Sequence, residues 1–407
     1  MNSDYVQVKY GASVKESGIT KMTRYFEIVR RDGPARIGRM LLEESIPTPH
    51  IIEVESLDGD GPIFSMGPSI EYNSQQKVLD FIDEQKSKER FIILPHGRPE
   101  SNSKSILSEI SGEIPIGISV DPATFSYSES KGADLYVLPP MGRFASNARL
   151  FVNSIVKVRE SIPSDTALYT PAAATPENLA ILIYAGVDLV DDTIAKISGF
   201  RDLYLTNEGE VPISELSCEL PCLCEVCGDR TSESFKKLKK KERSLLISRH
   251  NELKLMEEMR RVRHHIMNGS IREYVEKQCR SSPFLCASVR LFDREPQFLE
   301  KRTPVARGNV LYANTMESLD RIEIRRFASR VRDRYKPPSK KKILVLLPCS
   351  ARKPYSTSPS HFRFIQALNG YRDNLHEVII TSPLGVVPRE LELVYPAAHY
   401  DIPVTGY

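Results

Sequence analysis

The amino-acid sequence predicts an α/β protein built on a (β/α)8 TIM-type barrel with an inserted subdomain, followed by a small partial α/β domain. Short apolar runs alternate with helical patterns over more than half of the chain, as expected for a parallel sheet whose strands are joined by helices. The number of these repeats favours a closed barrel. The length of 407 residues suffices for a large barrel and a smaller unit. A doubly wound open sheet is the alternative.

The elements follow one another from about residue 25. A β-prone run at 25–29 predicts an edge strand, and residues 33–44 and 46–56 predict a hairpin that leads into a first inner strand. The further predicted strands are Phe91–Leu94, Ile116–Val120, Leu135–Leu138, Ala167–Tyr169, Ala185–Val190 and a closing segment at Asn309–Asn314. The predicted helices are Ser74–Lys88, Asn147–Glu160, Pro176–Tyr184 and Ser318–Val331.

The composition excludes several classes of protein. Charged residues make up 27% of the chain but the net charge is only +3, so any nucleic-acid surface must be local. No stretch approaches the roughly eighteen consecutive apolar residues of a membrane span. The N-terminus also lacks the basic and apolar regions of a signal peptide. We therefore expect a cytoplasmic protein without a membrane segment.

Cysteines are concentrated in one part of the chain. Cys222, Cys224 and Cys227 form the pattern C-x-C-x2-C, and His250 follows at the start of a helical run. In a reducing compartment this clustering is typical of metal binding rather than of disulfides. Three thiolates and one imidazole complete a tetrahedral zinc site, and a site with no position left for water is structural. Free structural cysteines are the alternative, and Cys218 is an additional thiol.

A basic run, FKKLKKKERS at 235–244, lies between the last cysteine of this pattern and the histidine. Charge runs usually form a solvated face. The alternative is contact with RNA phosphates beside a substrate pocket, which would weaken with salt. The sequence leaves both interpretations open.

The densest set of chemically active side chains lies near the end of the sequence. After a linker at 333–342, the apolar run Ile343–Leu347 predicts a short buried strand, with a helix at His361–Leu368 and a strand at Val378–Thr381 beyond it. The loop PCSARKPYSTSPSH at 348–361, called the motif loop below, therefore follows a strand end, where α/β sheets meet ligands. Its candidate catalytic residues are Cys349, Lys353, Tyr355, Ser358 and His361. The alternative is a proline-rich surface loop with a buried cysteine.

The spacing in the motif loop resembles the signature of the archaeosine synthase family, archaeal tRNA-modifying relatives of the tRNA-guanine transglycosylases. The pattern is Pro-Cys, three residues, Lys-Pro-Tyr, two residues, Ser, two residues and His. The later segments TSPLGVVPRELE and YPAAHYDIPVTGY also resemble that family. The resemblance implies a transglycosylase-like barrel at 1–332 with a zinc subdomain at about 215–285, a linker at 333–342 and a family-specific core domain at 343–407.

Two aspartates after predicted barrel strands resemble parts of the transglycosylase site. The segment DPATF at 121–125 stands in place of the base-binding loop, and GVDLVDDTIA at 186–195 in place of the segment with the nucleophile. The resemblance makes Asp191 the nucleophile position, Asp121 the second aspartate and Phe125 the aromatic residue that stacks on the base. Proline and alanine replace the loop's glycines, so we expect inefficient base exchange. The alternative is that both aspartates cap helices.

The resemblance implies transfer of lysine, a co-substrate, onto the nitrile of 7-cyano-7-deazaguanine, with formation of an amidine-linked adduct in archaeosine biosynthesis. The base is either free or within tRNA, which is bound directly or through a partner that carries a PUA domain. A radical-SAM subunit of archaeosine synthase is implied as the partner that releases the product. Similar barrels place the zinc subdomain near a dimer interface, which suggests a homodimer. The sequence stops at Tyr407 without the family's PUA region, and this leaves both substrates open.

Addition of an amine to a nitrile needs a deprotonated nitrogen nucleophile, stabilisation of the imide anion and an acid. We expect Lys353 and His361 to transfer protons and stabilise charge, Tyr355 and Ser358 to hold the lysine or the base, and Cys349 either to form a transient thioimide or to lie buried without reacting. Two other functions stay open. One is base exchange through the barrel aspartates, and the other is that of a non-catalytic RNA-binding subunit.

Overall fold

The computed structural model describes residues 25–42, 44–54, 64–66, 75–85, 91–94, 114–126, 132–138 and 147–403. These residues form an α/β fold with one large parallel sheet and several small sheets. Within the described ranges, none of the helices combines the length and the apolar character that a membrane crossing requires.

The described part of the chain begins with an antiparallel sheet of three strands. These strands are β1 (Phe26–Asp32), β2 (Ala35–Leu41) and β3 (Ser45–Thr48). A tight turn joins β1 to β2, and Gly33 in this turn has a φ of +62°, which glycine adopts without steric cost. The edge strand and the hairpin predicted from the sequence are therefore confirmed.

The large sheet has seven parallel strands in the order β4-β10-β9-β8-β7-β6-β5. They are β4 (His50–Ile52), β5 (Phe64–Met66), β6 (Phe91–Leu94), β7 (Ile116–Ser119), β8 (Leu135–Val137), β9 (Ala167–Tyr169) and β10 (Leu189–Asp191). Neighbours in the sheet are neighbours along the chain, except that the first strand pairs with the last. A sheet that returns to its first strand is compatible with a fold of the (β/α)8 type.

The apolar runs predicted as strands form β6 to β10. Such runs are readable because strands of a parallel sheet are covered on both faces and lack polar alternation. The last predicted run, Ala185–Val190, becomes a strand only from Leu189, because a turn with Gly186 at a φ of +97° precedes it. Within the described residues the sheet has seven strands and β4 does not pair with β5. The predicted closing segment Asn309–Asn314 instead forms a short strand at Leu311–Tyr312 that pairs with Tyr400–Asp401 outside this sheet, so that prediction is wrong. Closure with an eighth strand stays a prediction.

The helices of the described residues lie partly between strands of this sheet and partly after β10 along the chain. They are α1 (Gln75–Gln85), α2 (Ala148–Ser161), α3 (Leu179–Tyr184), α4 (Thr193–Phe200), α5 (Ser232–Lys236), α6 (Lys240–Asn268), α7 (Ile271–Gln278), α8 (Pro283–Phe292), α9 (Pro296–Arg302), α10 (Ile322–Arg334) and α11 (Pro359–Ala367). The longest helix, α6, ends at Gly269 with a φ of +66°, a left-handed position that suits glycine after a helix.

Alternate residues of the large sheet face two separate apolar cores. Ile92 and Leu94 of β6 pack with the helices in the larger core. Phe91 and Ile93 of the same strand pack in a smaller core together with Phe26 of β1. The N-terminal sheet thus covers the inner side of the strands, as the interior of a barrel requires.

A third core surrounds the predicted metal ligands. A hairpin of β11 (Leu203–Thr206) and β12 (Gly209–Pro212) packs there with α5 and the start of α6. The buried apolar side chains include Tyr204, Val226 and Phe235. The cysteine-rich segment therefore has a small core of its own, beside the large sheet.

The C-terminal part has a sheet of three strands and a pair of short strands. The sheet holds β14 (Ile343–Pro348), β15 (Leu375–Thr381) and β16 (Gly385–Pro388), and the pair is β13 (Leu311–Tyr312) with β17 (Tyr400–Asp401). β14 and β15 run parallel, and β16 is antiparallel to β15. The predicted strands and helices of this part are confirmed, with shifts of a few residues at their ends.

One prediction for this part is wrong. The run Ile343–Leu347 forms a strand, but the strand is not buried. The exposed fractions of Ile343, Leu344 and Leu346 are 57%, 59% and 55%. β14 lies at the edge of its sheet and pairs only with β15 among the described residues, so apolar composition alone was a misleading guide to burial.

Candidate functional site

The structure brings the four predicted metal ligands together. One ligand atom from each of Cys222, Cys224, Cys227 and His250 lies within 4.8 Å of all the others. The Nδ1 atom of His250 is 3.5 Å from the Sγ atom of Cys224 and 3.3 Å from that of Cys227. Its Nε2 atom lies 3.0 Å from the carbonyl oxygen of Leu205. This contact leaves Nδ1 facing the thiols, the arrangement found when a backbone carbonyl orients a ligating histidine.

The surroundings of this cluster fit a metal ion. The Tyr204 ring stacks on His250 with centroids 3.7 Å apart, and its hydroxyl lies 3.4 Å from the sulfur of Cys227. Burial raises the pKa of the Cys227 thiol to about 12 and lowers the pKa of His250 to about 4. A bound cation would favour the thiolate and the neutral imidazole together. Soft donors in a closed set of four can therefore hold a metal ion such as zinc.

The basic run beside this cluster is partly paired. Lys240 and Arg243 contact the carboxylate of Asp202 at 2.8 and 2.9 Å, which ties the start of α6 to the turn before β11. Lys236 pairs with Glu233 on an exposed surface at 2.9 Å. The remaining lysines of the run are exposed, so both interpretations of the run stay open.

Asp191, the predicted nucleophile position, ends β10 and is 1% exposed. Its Oδ2 atom accepts hydrogen bonds from the Tyr169 hydroxyl at 2.7 Å and the Ala172 amide at 2.9 Å. Its Oδ1 atom accepts from the amide of Thr193, the first residue of α4, at 3.0 Å. Ala172 has a φ of +46°, a left-handed conformation that costs a residue with a Cβ atom about 1–3 kcal/mol. Both carboxylate oxygens are thus engaged, whereas the N-cap residue of α4 is Asp192, whose side chain makes no capping hydrogen bond.

The other predicted barrel residues lie at the end of β7. Asp121 is exposed, and its Oδ1 atom accepts a hydrogen bond of 3.0 Å from the Ala123 amide, as in an Asx turn. The partly buried Phe125 packs edge-on against Tyr136, with ring centroids 5.9 Å apart. In the described part of the chain, no hydrogen bond or ion pair joins Asp121 to Asp191, or either aspartate to the motif loop.

A cleft that the sequence did not predict lies beside the end of β10. It has a volume of about 790 Å3 and is lined by β4, the start of α4 and one side of α6. Asp192 and Lys196 form an ion pair of 2.8 Å on one wall, and Arg263 on another donates to the Pro49 carbonyl at 2.8 Å. Burial and this arginine lower the pKa of His50 to about 4, so the histidine is neutral.

Within the motif loop, Lys353 and Tyr355 converge on Tyr400 of β17. The Nζ atom of Lys353 lies 4.0 Å from the centre of the Tyr400 ring, in a cation–π contact. The buried Tyr355 hydroxyl lies 2.5 Å from the Tyr400 hydroxyl, which also contacts Oγ1 of Thr381 at 2.5 Å. Burial lowers the pKa of Lys353, while the charges of Asp401 and Cys349 partly oppose the shift. The half-buried ammonium therefore loses its proton more readily than a lysine in water.

Cys349 is exposed, contrary to the alternative of a buried cysteine. It follows β14 directly and lies close enough to Lys353, Tyr355 and Tyr400 for its charge to act on the pKa of each. The loop thus presents an accessible thiol beside an amine with a lowered pKa.

His361 and Ser358 hold the loop in shape. The buried His361 lies with Nε2 2.9 Å from the Pro348 carbonyl and Nδ1 2.9 Å from the guanidinium of Arg389. Burial, followed by the charge of Arg389, lowers its pKa and keeps the ring neutral. Ser358 is the N-cap of α11, and its hydroxyl accepts a hydrogen bond of 3.2 Å from the His361 amide. Neither ring nitrogen is free.

Sequence reasoning missed several residues around the loop. These are Thr381, Arg389, Glu392, Tyr400 and Asp401. Glu392 accepts a hydrogen bond of 3.0 Å from the Ser356 amide and pairs with Arg389 at 2.9 Å. A signal existed, because all five lie within or next to the two segments that resemble the archaeosine synthase family. Their convergence on one loop depends on tertiary structure.

Two protein-family models match the chain. A model described as queuine tRNA-ribosyltransferase matches residues 133–283, which include Asp191 and the metal cluster. A second, described as a domain of unknown function (DUF5591), matches residues 324–407, which include the motif loop. The two matched regions correspond to the two parts of the chain that carry candidate sites.

A comparison with known proteins finds archaeosine synthases that are similar to this chain over most of its length. The archaeosine synthase subunit alpha of Methanosarcina acetivorans is 44% identical over 95% of this chain and 64% of its own length. The archaeosine synthase of Haloferax volcanii is 40% identical over 95% of this chain and 62% of its own length. A tRNA-guanine(15) transglycosylase of Methanothermobacter thermautotrophicus is 29% identical over 70% of this chain and 44% of its own length.

The present chain therefore spans less than two thirds of the archaeosine synthases that it matches. Its similarity to them covers both the sheet with the metal cluster and the C-terminal part with the motif loop. The resemblance inferred from the sequence is confirmed: this chain is related to the archaeosine synthases along 95% of its length and carries a domain of the tRNA-ribosyltransferase type.

Proposed function

We propose that this chain acts in archaeosine biosynthesis, where it transfers lysine onto the nitrile of 7-cyano-7-deazaguanine, either in tRNA or as the free base. The observation that carries the proposal is that one loop holds the exposed Cys349 thiol and the half-buried Lys353, whose Nζ atom lies over the Tyr400 ring and whose pKa is influenced by the charge of Cys349. The names of its relatives support archaeosine chemistry, and the tRNA-ribosyltransferase domain supports a site for a modified guanine.

The proposed reaction is an addition in which atoms and charges balance. The Cys349 thiol gives its proton to neutral Lys353 and its sulfur attacks the nitrile carbon, and the Lys353 ammonium then protonates the nitrile nitrogen as a thioimidate forms. The amine of the substrate lysine then attacks the same carbon, loses one proton to Lys353 and displaces the thiolate. The product is an amidine that carries lysine. A further activity, which the family resemblance assigns to a radical-SAM subunit, must release the unsubstituted amidine of archaeosine.

The roles of the buried loop residues follow from their contacts. We assign His361 and Ser358 as positioning residues, because their polar atoms are engaged with the backbone and Arg389. Tyr355 positions Tyr400, and through it the ring on which Lys353 lies. Cys349 and Lys353 are left to carry the chemistry.

The role of Lys353 predicts a particular pH dependence. The rate is expected to rise with pH as Lys353 loses its proton, and the rise should be centred below 10.5, the ordinary value, because burial lowers this pKa. Lys353→Arg keeps a cation that stays protonated, so the transfer rate should fall by about 100-fold or more and lose this rise. Initial rates of transfer of labelled lysine between about pH 6 and 10 test this. The exposed Lys342→Arg is the control, and an unchanged profile in Lys353→Arg would exclude Lys353 as the base.

The role of Cys349 predicts loss of turnover and a trapped intermediate. Cys349→Ala is expected to lower kcat by about 100-fold or more, because the thioimidate cannot form. Without lysine, the unmodified protein should gain the mass of the bound base on the peptide with Cys349, as mass spectrometry would detect. The exposed Cys218→Ala, a thiol outside the motif loop, serves as the control. Full turnover by Cys349→Ala would exclude the thioimidate and would mean that lysine attacks the nitrile directly.

The experiment that tests the function is transfer of labelled lysine by the purified chain. 7-Cyano-7-deazaguanine is offered as the free base and, separately, within tRNA. Label on the free base supports action before insertion into tRNA, and label only on tRNA supports binding of RNA by this chain. If neither substrate takes up label, with zinc and the family's partners present, the transferase proposal fails.

A second candidate function is base exchange in tRNA, which the match to a queuine tRNA-ribosyltransferase model favours. The contacts of Asp191 count against it, since both carboxylate oxygens are held by hydrogen bonds. Release of labelled guanine from tRNA, lost in Asp191→Asn, would establish this activity and place the nucleophile in the barrel.

We also propose that the ion held by the cysteine cluster is zinc and that its role is structural. Three thiols and one imidazole form a full tetrahedral set, and no fifth protein donor or open position is needed. When bound, zinc would tie the cysteine segment to α6 through His250. The chemistry of the motif loop does not involve it.

A further inference from the structure

One face of the C-terminal sheet carries four largely exposed apolar residues, although Val378 on the same face is 7% exposed. Residues paired across neighbouring strands share a face of a sheet, so Leu344, Leu346, Ile380 and Val386 lie on the same face. Their exposed fractions are 59%, 55%, 51% and 43%. These four residues define the apolar sheet face. At one end, Tyr335, which directly follows α10, stacks on His376.

The opposite face is covered over most of its length, although Ile343 at one end is 57% exposed. Leu347, Ile379 and Val387 are buried, with exposed fractions of 6%, 0% and 0%. Ile379 and Val387 pack in one core with Phe327 of α10 and with Tyr400. One face of these three strands thus packs into an apolar core. Among the described residues, no comparable apolar core forms on the other face.

The outer edge of β14 adjoins this face. Among the described residues β14 pairs only with β15, so a row of backbone donors and acceptors remains for a further strand. The edge ends at Pro348, directly before the exposed Cys349. Whatever pairs with β14 will therefore also stand beside the candidate nucleophile.

An uncovered apolar face with a free strand edge is unusual for such a sheet. Parallel strands are normally covered on both faces, and contiguous exposed apolar patches mark interaction sites. The archaeosine synthases of Methanosarcina acetivorans and Haloferax volcanii match this chain over only 64% and 62% of their own length. About a third of each of these relatives thus lies outside the match, and such a part is a candidate occupant of the face.

We propose that the apolar sheet face and the edge of β14 dock that additional part of an archaeosine synthase. The docked polypeptide would pair a strand with β14 and lay an apolar layer over Leu344, Leu346, Ile380 and Val386. It would also supply the missing wall beside Cys349. The proposal rests on the relationship to archaeosine synthases and is independent of whether this chain transfers lysine.

The test mixes the full chain with the part of the Methanosarcina acetivorans relative that has no counterpart in it, expressed separately. Binding is measured by titration calorimetry without substrate. Leu346→Asp is expected to weaken binding at least about tenfold, because it places a charge in an apolar interface. The control is Leu393→Asp, since Leu393 is 69% exposed but lies outside the sheet. Backbone amides of 343–347 should exchange more slowly with deuterium in the complex.

A second variant and a fusion protein guard against misfolding or insolubility in the binding test. Leu344→Asp repeats the substitution at a second exposed position, and circular dichroism checks that each variant is folded. If the added part is insoluble alone, it is fused to the chain in the order in which it occurs in the relative, and exchange at 343–347 is compared with that of the unfused chain. Absent binding and unprotected amides in the fusion would overturn the proposal, as would binding unaffected by both aspartates. A homodimer that Leu346→Asp dissociates would make a second copy the occupant, and would overturn it as well.

Discussion

Replacing Cys227 by alanine is expected to abolish tight zinc binding and to unfold the small core around the cysteine cluster. Cys227 is buried, lies 3.3 Å from Nδ1 of His250 and contributes its side chain to that core. Because zinc binds the folded arrangement of ligands, its binding energy is folding energy, and the loss should be on the order of several kcal/mol. Metal content by mass spectrometry and the free energy of unfolding in guanidinium measure both effects.

The control for this prediction is Cys218→Ala. Cys218 is exposed and lies outside the cluster, so its removal should leave both the metal content and the stability unchanged. A chelator should lower the midpoint of thermal unfolding of the parent protein and leave that of Cys227→Ala unmoved. Full zinc content in Cys227→Ala would mean that another donor completes the site, or that the site lies elsewhere.

Replacing Arg36 by methionine is expected to destabilise the protein by about 3–5 kcal/mol, because it leaves the carboxylate of Asp188 buried without its cation. The pair is bidentate, at 2.7 and 2.6 Å, and the two side chains are 1% and 0% exposed. Arg36 also donates to the carbonyl oxygens of Ser164 and Thr166 at 2.5 Å each. It thus joins the N-terminal sheet to the residues that directly precede β9 and β10. The denaturant midpoint at constant m-value measures the loss.

A second variant separates the charge from the packing. In Arg36→Met with Asp188→Asn, the uncompensated charge is gone, and part of the stability should return. Arg39→Met on the same strand is the matched control, since Arg39 is exposed and its loss should cost less than about 0.5 kcal/mol. A loss in Arg36→Met no larger than in Arg39→Met would contradict a stabilising role for the buried pair.

Much of the fold could be predicted because its strands are buried on both faces. A run such as Phe91–Leu94 has no polar alternation, and only a covered parallel strand or a helix tolerates that. The same logic failed at Ile343–Leu347, where the run is equally apolar but three of its side chains are more than half exposed. An apolar run indicates that a segment tends to be buried. It does not indicate which polypeptide packs against that segment.

The candidate sites also include features that the sequence predicts and features that depend on tertiary structure. The metal cluster was predictable, since three cysteines within six positions leave few other uses. The state of Asp191 was not, because its partners include Ala172, whose positive φ no local pattern announces. The two engaged nitrogens of His361 were equally hidden, since Arg389 reaches it from a distant turn. Residue types were readable from spacing, whereas their freedom to react depends on neighbours brought by the fold.

The pairing of β13 with β17 limits how the protein can be divided. Tyr400, on which Lys353 lies, belongs to a strand held by Leu311 and Tyr312, which precede α10. A fragment that starts at residue 343 would lack β13, and it would also lack Phe327, which packs in the core around Tyr355. Such a fragment would contain every residue of the motif loop and yet lack the support that sets its shape. Dissection for crystallisation or assay should therefore cut before Leu311.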